Sequence, residues 1–378
     1  MTTAANTHSN LSMTMRHALR ICAVALCLIS TSCAQGVSDE HGNSTLRALK
    51  AAVSEGRYMY GHQDDLCYGH FWTHPEDILN DRIEGSDVFS VCGDYPAVVG
   101  FDLGGIELGK EENLDGVNFD YMRRAAMEHI ARGGIVTFSW HARNPWTGGD
   151  AWDNSSDKAV ASIIAGGGKE KEFELWLERL SAFLGSIRNP DGTQAEVIFR
   201  PWHEHMGGWF WWGIDTCSAD EYIALWEKTY AYINELKGLT EIIWAYSPNS
   251  DVDKDGYMVR YPGDDIVDLL GIDHYQYSDF DTYINRLKTC LGYMSELGEE
   301  HEKNIVISET GYEGIKDAKW WTSLNEGIKD YPIGYVLTWR NAWDQQGHFY
   351  GPYPGADCEE DFRSFYSLDN TLFLKDIK

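Results

Sequence analysis

The sequence predicts an α/β protein, a single-domain (β/α)8 TIM barrel, and three observations carry that expectation. Short runs rich in β-branched and aromatic residues recur along the chain, each followed by a longer segment of helical character, the pattern of repeated βα units around a parallel sheet. Eight such runs can be counted. The 378 residues hold no internal repeat, low-complexity stretch or linker within that alternation, and a barrel takes ~250 residues while tolerating long loop insertions.

In chain order the expected strands are Tyr58–His62, Ala97–Asp102, Ile135–His141, Val197–Glu204, Ile242–Ser247, Leu269–Tyr275, Ile305–Thr310 and Tyr335–Trp339. The expected helices are Tyr121–Ala131, Glu170–Leu184, Ala219–Leu236, Thr282–Leu297, Ala318–Asp330 and a closing Glu359–Tyr366. The fourth strand has the clearest start, because an Asn-Pro-Asp-Gly turn at Asn189–Gly192 precedes mostly β-branched or aromatic residues. A two-residue period would put Ile198, Arg200, Trp202 and Glu204 on one face, with a carboxylate at the strand's C-terminal end beside an arginine. The Gly-, Asp- and Ser-rich segment Asn144–Glu170 reads as an insertion after the third strand, on the face where barrels keep their active sites.

The N-terminus reads as an export signal over residues 1–33, with translation starting at Met1, Met13 or Met15. Arg16, His17 and Arg20 precede an apolar run, Ile21–Ile29, that is too short to span a bilayer. Ser30-Thr31-Ser32-Cys33-Ala34 resembles a bacterial lipoprotein cleavage box, which implies a lipid anchor at Cys33; cleavage after Ala34 is the competing reading. The expected address is therefore the cell envelope or periplasm, or alternatively the medium. The catalytic domain is expected over residues 34–378. It keeps Cys67, Cys92, Cys217, Cys290 and Cys358, an odd number, with Cys67–Cys92 as a possible disulfide in an exported protein.

A balance of 31 basic against 59 acidic residues, net −28, argues against nucleic acid or an anionic membrane surface as partner. The 15 Trp and 21 Tyr exceed what a core of this size needs, and flat aromatic faces suit the apolar faces of sugar rings.

Most expected strands end in functional side chains: His62, Gln63 and Asp64; Asp102; Trp140 and His141; His203 and Glu204; Asp273, His274 and Tyr275; Ser308 and Glu309; Trp339 and Arg340. In a barrel these converge on one rim. Glu204 and Glu309 would close strands four and seven and face each other across the mouth. Two carboxylates flanking a bond are the requirement for glycoside cleavage, one protonating the leaving oxygen and the other attacking the anomeric carbon or activating water.

The runs Arg200-Pro201-Trp202-His203-Glu204, Gly208-Trp209-Phe210-Trp211-Trp212-Gly213 and Ile307-Ser308-Glu309-Thr310-Gly311 resemble glycoside hydrolase family 26, dominated by β-mannanases. Gly61-His62-Gln63-Asp64-Asp65, Phe101-Asp102-Leu103-Gly104-Gly105, Ser139-Trp140-His141, Arg260-Tyr261-Pro262-Gly263-Asp264 and Leu337-Thr338-Trp339 extend the likeness over nearly the whole mature chain. The resemblance implies retaining hydrolysis of β-1,4-mannosidic linkages, with Glu204 as acid/base and Glu309 as nucleophile. It also implies that His203 contacts the nucleophile and the sugar's 2-hydroxyl, and that Tyr275 hydrogen-bonds the nucleophile. Trp339 would lie under the sugar being cleaved, Trp209 would wall the leaving-group side, and His141 would be a polar contact at the cleavage subsite; Trp211 and Trp212 read as core. The alternatives are a retaining β-glycanase acting on mixed-linkage glucan or β-1,3-xylan, and a non-catalytic mannan-binding lipoprotein.

No metal and no cofactor are expected, and the partner is a β-mannan polysaccharide or oligosaccharide met by a monomer. His203 and His205 would share a strand face as a weak zinc pair, and Asp251-x-Asp253-x-Asp255-Gly256 opens like a calcium loop but has Pro262 where a bidentate Glu is required.

Overall fold

The computed structural model of the protein describes residues 43–75 and 83–377. The expected export segment and Cys33 lie outside the described residues. Among those described, eight parallel strands follow one another around a ring: β1 (Tyr58–Gln63), β2 (Val98–Asp102), β3 (Ile135–Ser139), β4 (Val197–Arg200), β5 (Ile242–Tyr246), β6 (Leu269–Gln276), β7 (Asn304–Tyr312) and β8 (Ile333–Thr338). The ring closes because β8 pairs back onto β1, from Met59 opposite Tyr335 to His62 opposite Thr338. A further short strand, Thr371–Leu372, lies along the start of β1.

Alternation along the strands builds two apolar layers. Met59, Val98, Ile198, Ile243, Val306 and Leu337 form one cluster, which fills the barrel. Tyr60, Val99, Phe199, Trp244 and Ile307 belong to the other, between the strands and the helices. Strands covered on both faces are buried along nearly their full length, as a parallel sheet inside a helical ring requires. The helix Ser44–Ser54 adds Leu49 and Ala52 to the inner cluster, and Glu196 caps its start by accepting from the Thr45 N–H at 2.8 Å.

The helices Glu170–Leu184 and Glu359–Tyr366 match their expected spans, and the long expected helix after β4 runs α-helical over Ala219–Tyr230 and continues as a π-helix over Ala231–Leu236. Ser218 and Glu221 start it with a reciprocal capping box.

The fourth strand departs from expectation in a way that shapes the site. It ends at Arg200, because Pro201 has no N–H to continue the ladder, and Trp202 and Glu204 take left-handed backbone conformations with φ of 55° and 52°. Only Ile198 and Arg200 keep the expected shared face. Trp202 instead packs among Trp140, Trp211 and Trp212, with ring centroids 4.9, 5.4 and 5.5 Å away.

The expected pairing of Cys67 with Cys92 does not form, and the five cysteines of the described residues are free thiols. Cys92 ends a short helix, and its thiol points back to the Val88 carbonyl at 3.3 Å.

Candidate active site

At the C-terminal end of the barrel the interior changes from apolar to charged. Arg200, the last residue of β4, reaches across the mouth, and its guanidinium donates to Asp273 Oδ2 at 2.9 Å, to Ser247 Oγ at 3.1 Å and to Glu309 Oε1. Tyr275 donates its phenolic hydrogen to the other oxygen of Glu309 at 2.6 Å. Both oxygens of Glu309 are thus held by donors, one from the adjacent β6 and one from β4 across the mouth. Asp273 is braced in turn by Ser308 Oγ at 2.7 Å. The space for that contact depends on Gly271, where a Cβ would stand 2.5 Å from Ser308 Oγ.

Glu204 comes to the same place by a different route. The turn after β4 is pinned by its own N–H, which donates to the Ser247 carbonyl at 2.8 Å, and the exposed indole of Trp209 donates to Glu204 Oε2 at 2.7 Å. One carboxylate oxygen each from Glu204, Asp273 and Glu309 lies within 4.8 Å of the other two. Arg200 is bonded to two of those carboxylates. Glu204 therefore meets negative charge with little compensation, and its pKa stands well above the usual carboxylate range. Burial is the main cause, and the charges of Glu309 and Asp273 add to it. Burial also raises Asp273, although Arg200 works against it.

The histidines are arranged otherwise than expected. No hydrogen bond joins His203 to Glu309, whose oxygens accept from Arg200 and Tyr275; His203 Nε2 lies 3.2 Å from His141 Nε2. Behind His141 stands Asp102, whose Oδ2 meets His141 Nδ1 at 2.6 Å. Trp152, from the insertion after β3, stacks on His141 with a centroid distance of 5.0 Å and a 16° tilt. Trp339 is half-buried at the end of β8, its ring 6.1 Å from that of His141.

His203 and His205 form no pair, because the turn that replaces the strand sends their rings apart. His205 packs between Tyr222 and Tyr246, at 4.3 and 4.9 Å, away from the cleft. The calcium-like loop spends Asp253 on capping the helix Lys254–Met258 through the Gly256 N–H.

The rim thus gathers Glu204, Glu309, Tyr275, Trp209, His141, His203 and Trp339. Among the strand-end residues outside this group, Trp140 lies in the outer core, His274 is tied to Ser250 and to the Tyr283 carbonyl, His62 pairs with Asp65 and Arg340 with Asp115. Trp211 and Trp212 are core, as expected, and their indoles donate to the Ala142 and His203 carbonyls. Sequence reasoning did not assign roles to Arg200, Asp273, Ser247, Asp102 or Trp152. Only their positions at strand ends, or in the insertion, could have suggested them.

Comparison with known proteins agrees with this fold. A GH26 beta-mannanase from Bacteroides ovatus superposes with a TM-score of 0.83 at 43% identity, covering 88% of this chain and 95% of that one. A mannan endo-1,4-beta-mannosidase of Bifidobacterium adolescentis is 31% identical over 369 residues, 90% of this chain, although the chain spans only 36% of that relative's length. A Bacillus subtilis protein of the same name is 29% identical over 76% of this chain and 75% of its own. Residues 48–341 match the model of glycosyl hydrolase family 26, and the chain belongs to that family.

Proposed function

We propose that this protein hydrolyses β-1,4-mannosidic linkages in mannan, glucomannan or galactomannan with retention of configuration, with Glu309 as nucleophile and Glu204 as acid/base. The observation that carries the reading is the pair of unlike carboxyl groups less than 4.8 Å apart at their nearest oxygens. That spacing accords with the ~5 to 5.5 Å of retaining enzymes rather than the ~6.5 to 9.5 Å that admits a water between the groups. Their environments differ in the sense the chemistry needs. Glu204 is crowded by negative charge and suited to hold a proton, whereas Glu309 is aimed by two donors.

In the first step a Glu309 oxygen bonds to the anomeric carbon as the glycosidic C–O bond breaks, and the Glu204 proton goes to the departing oxygen. In the second, Glu204 takes a proton from water, the water oxygen bonds to the anomeric carbon, and Glu309 leaves as a carboxylate. Trp339 serves as the platform under the sugar being cleaved and Trp209 as the wall beside the leaving group. His141 and His203 form the polar edge at the cleavage subsite, with the 2-hydroxyl in reach of His203. Tyr275 aims the nucleophile. The names of the relatives in Bacteroides, Bifidobacterium and Bacillus support the choice of mannan. The export signal of residues 1–33 and an anchor at Cys33 complete the proposal, placing a monomeric enzyme in the cell envelope.

A reducing-sugar assay on galactomannan, glucomannan and barley mixed-linkage glucan tests it. Release from the two mannans, lost in Glu309→Ala, is the expected result. Release from barley glucan alone would make the enzyme a glucanase, and binding of mannan without release would make it a binding protein.

A further inference from the structure

We infer that Asp102 is a positioning residue that acts through His141, holding that ring as a hydrogen-bond donor toward His203 and thereby setting which nitrogens of both imidazoles carry hydrogen at the cleavage subsite. The inference rests on the reading of Glu204 and Glu309 as the reacting pair.

Asp102 closes β2 opposite Ser139 of β3, so the end of β3 and the residues beyond it supply most of its partners. Its carboxylate accepts four hydrogens: Gly104 N–H at 2.7 Å and His141 N–H at 3.4 Å on one oxygen, Ser139 Oγ at 2.7 Å and His141 Nδ1 at 2.6 Å on the other. The side chain is buried, and none of the four donors is an arginine or lysine. A buried carboxylate so surrounded acts as an acceptor, which puts a hydrogen on His141 Nδ1 and leaves Nε2 as the atom whose state can vary.

That Nε2 lies 3.2 Å from His203 Nε2, and two nitrogens at that distance share one hydrogen. The surroundings decide its owner. Burial works against a charged His141, but Asp102, by charge and hydrogen bond, and Glu309, by charge, outweigh it, and the pKa rises; Arg200 opposes. For His203, burial, Arg200, His141 and His205 all act downward. When His141 carries hydrogen on both nitrogens it donates from Nε2 and His203 accepts, which leaves the single hydrogen of the neutral His203 on Nδ1. Among the described residues His203 Nδ1 is buried without a partner. The groups facing His141 are Asp102 and Asp115 from the β2 side, Arg200 and His203 from the β4 side and Glu309 from β7. Trp152 and Phe210 clamp the ring, and Trp339 stands beside it.

The test is Asp102→Asn, read by ¹⁵N NMR of histidine-labelled protein and by the pH profile of kcat/KM on mannohexaose. An amide can donate to Nδ1 where the carboxylate could only accept, so it favours the opposite tautomer. In the wild type His141 is expected to carry hydrogen on both nitrogens above the ordinary histidine value of about 6.5. In Asp102→Asn it is expected to be neutral there, with kcat/KM lowered by roughly 10²-fold or more and its alkaline limb moved to lower pH. Ser139→Ala, which removes a competing donor from Asp102 Oδ2 and leaves the carboxylate's charge to His141 Nδ1, should hold His141 protonated to higher pH, and stands in if the first variant fails to fold. A wild-type His141 that is neutral above that value, or imidazole signals unchanged in a folded Asp102→Asn, overturns the inference. If the wild type cleaves no mannan, the functional reading falls, while the imidazole signals still decide the role of Asp102.

Discussion

Tyr275 and Glu309 lie on adjacent strands, and the phenol of one donates to Oε2 of the other at 2.6 Å. The paired strands make this possible, since Tyr275 stands opposite Gly311 and Asp273 opposite Glu309 in the ladder between β6 and β7. The aim of one glutamate oxygen is thus a property of sheet register rather than of loop conformation. Hydrogen bonds to charged groups contribute about 1.5 to 3 kcal/mol. Tyr275→Phe is therefore expected to lower kcat/KM on mannohexaose roughly 10- to 150-fold without changing the fold, as circular dichroism would verify. An unchanged rate would remove Tyr275 from the mechanism.

The roles of the two glutamates can be separated by the leaving group. Glu204→Ala should cripple cleavage of mannan yet spare the first step on an aryl mannoside whose phenolate needs no proton, seen as a burst of released phenol. Equal loss on both substrates would show that Glu204 does something other than protonate.

Trp209 offers a test with a defined sign. Its indole N–H donates to Glu204 Oε2 and pulls the Glu204 pKa downward, against burial and the neighbouring charges that raise it. Trp209→Phe removes that downward contribution, so the acid should hold its proton to higher pH. The alkaline limb of kcat/KM is expected to move upward in pH, measured on an oligosaccharide too short to depend on the Trp209 face for binding. Movement to lower pH would contradict the assignment of Glu204 as acid.

The turn that delivers Glu204 depends on Trp202, which is fully buried, packs on three other indoles and donates from Nε1 to Thr229 Oγ1 at 3.2 Å. Trp202→Ala should destabilise the protein by about 3 to 5 kcal/mol, in the range for large-to-small aromatic replacements in a core, measured by urea unfolding. Activity at low temperature should fall with it, because the cavity lies directly beneath the His203–Glu204 turn.

For the cellular address, Cys33→Ser is expected to release the protein from the membrane fraction. A single acyl chain binds only marginally, and the several chains of a lipoprotein are needed for a firm anchor. Wild-type protein already soluble after cell breakage would indicate cleavage near Ala34.

The barrel and most of its rim are legible in the residues alone. Alternating β and α segments admit few architectures, and a barrel maps the ends of separate strands onto one ring, so the strand ends alone bring Glu204 and Glu309 together. Helices with amphipathic faces and plain caps, such as Glu170–Leu184 and the Ser218-capped helix, were legible for the same local reason. Which members of the ring touch is not legible there. The end of β4 at Pro201, two left-handed residues and a register shift between Ile272 and Asp273 redirect side chains by amounts that a two-residue period does not contain. Hence His203 shares its hydrogen bond with His141 rather than Glu309, Arg200 spans two carboxylates, and Asp102 stands behind His141. Each of these is a contact between residues distant in sequence, set by the stagger of the closed sheet, and local patterning carries no information about that stagger.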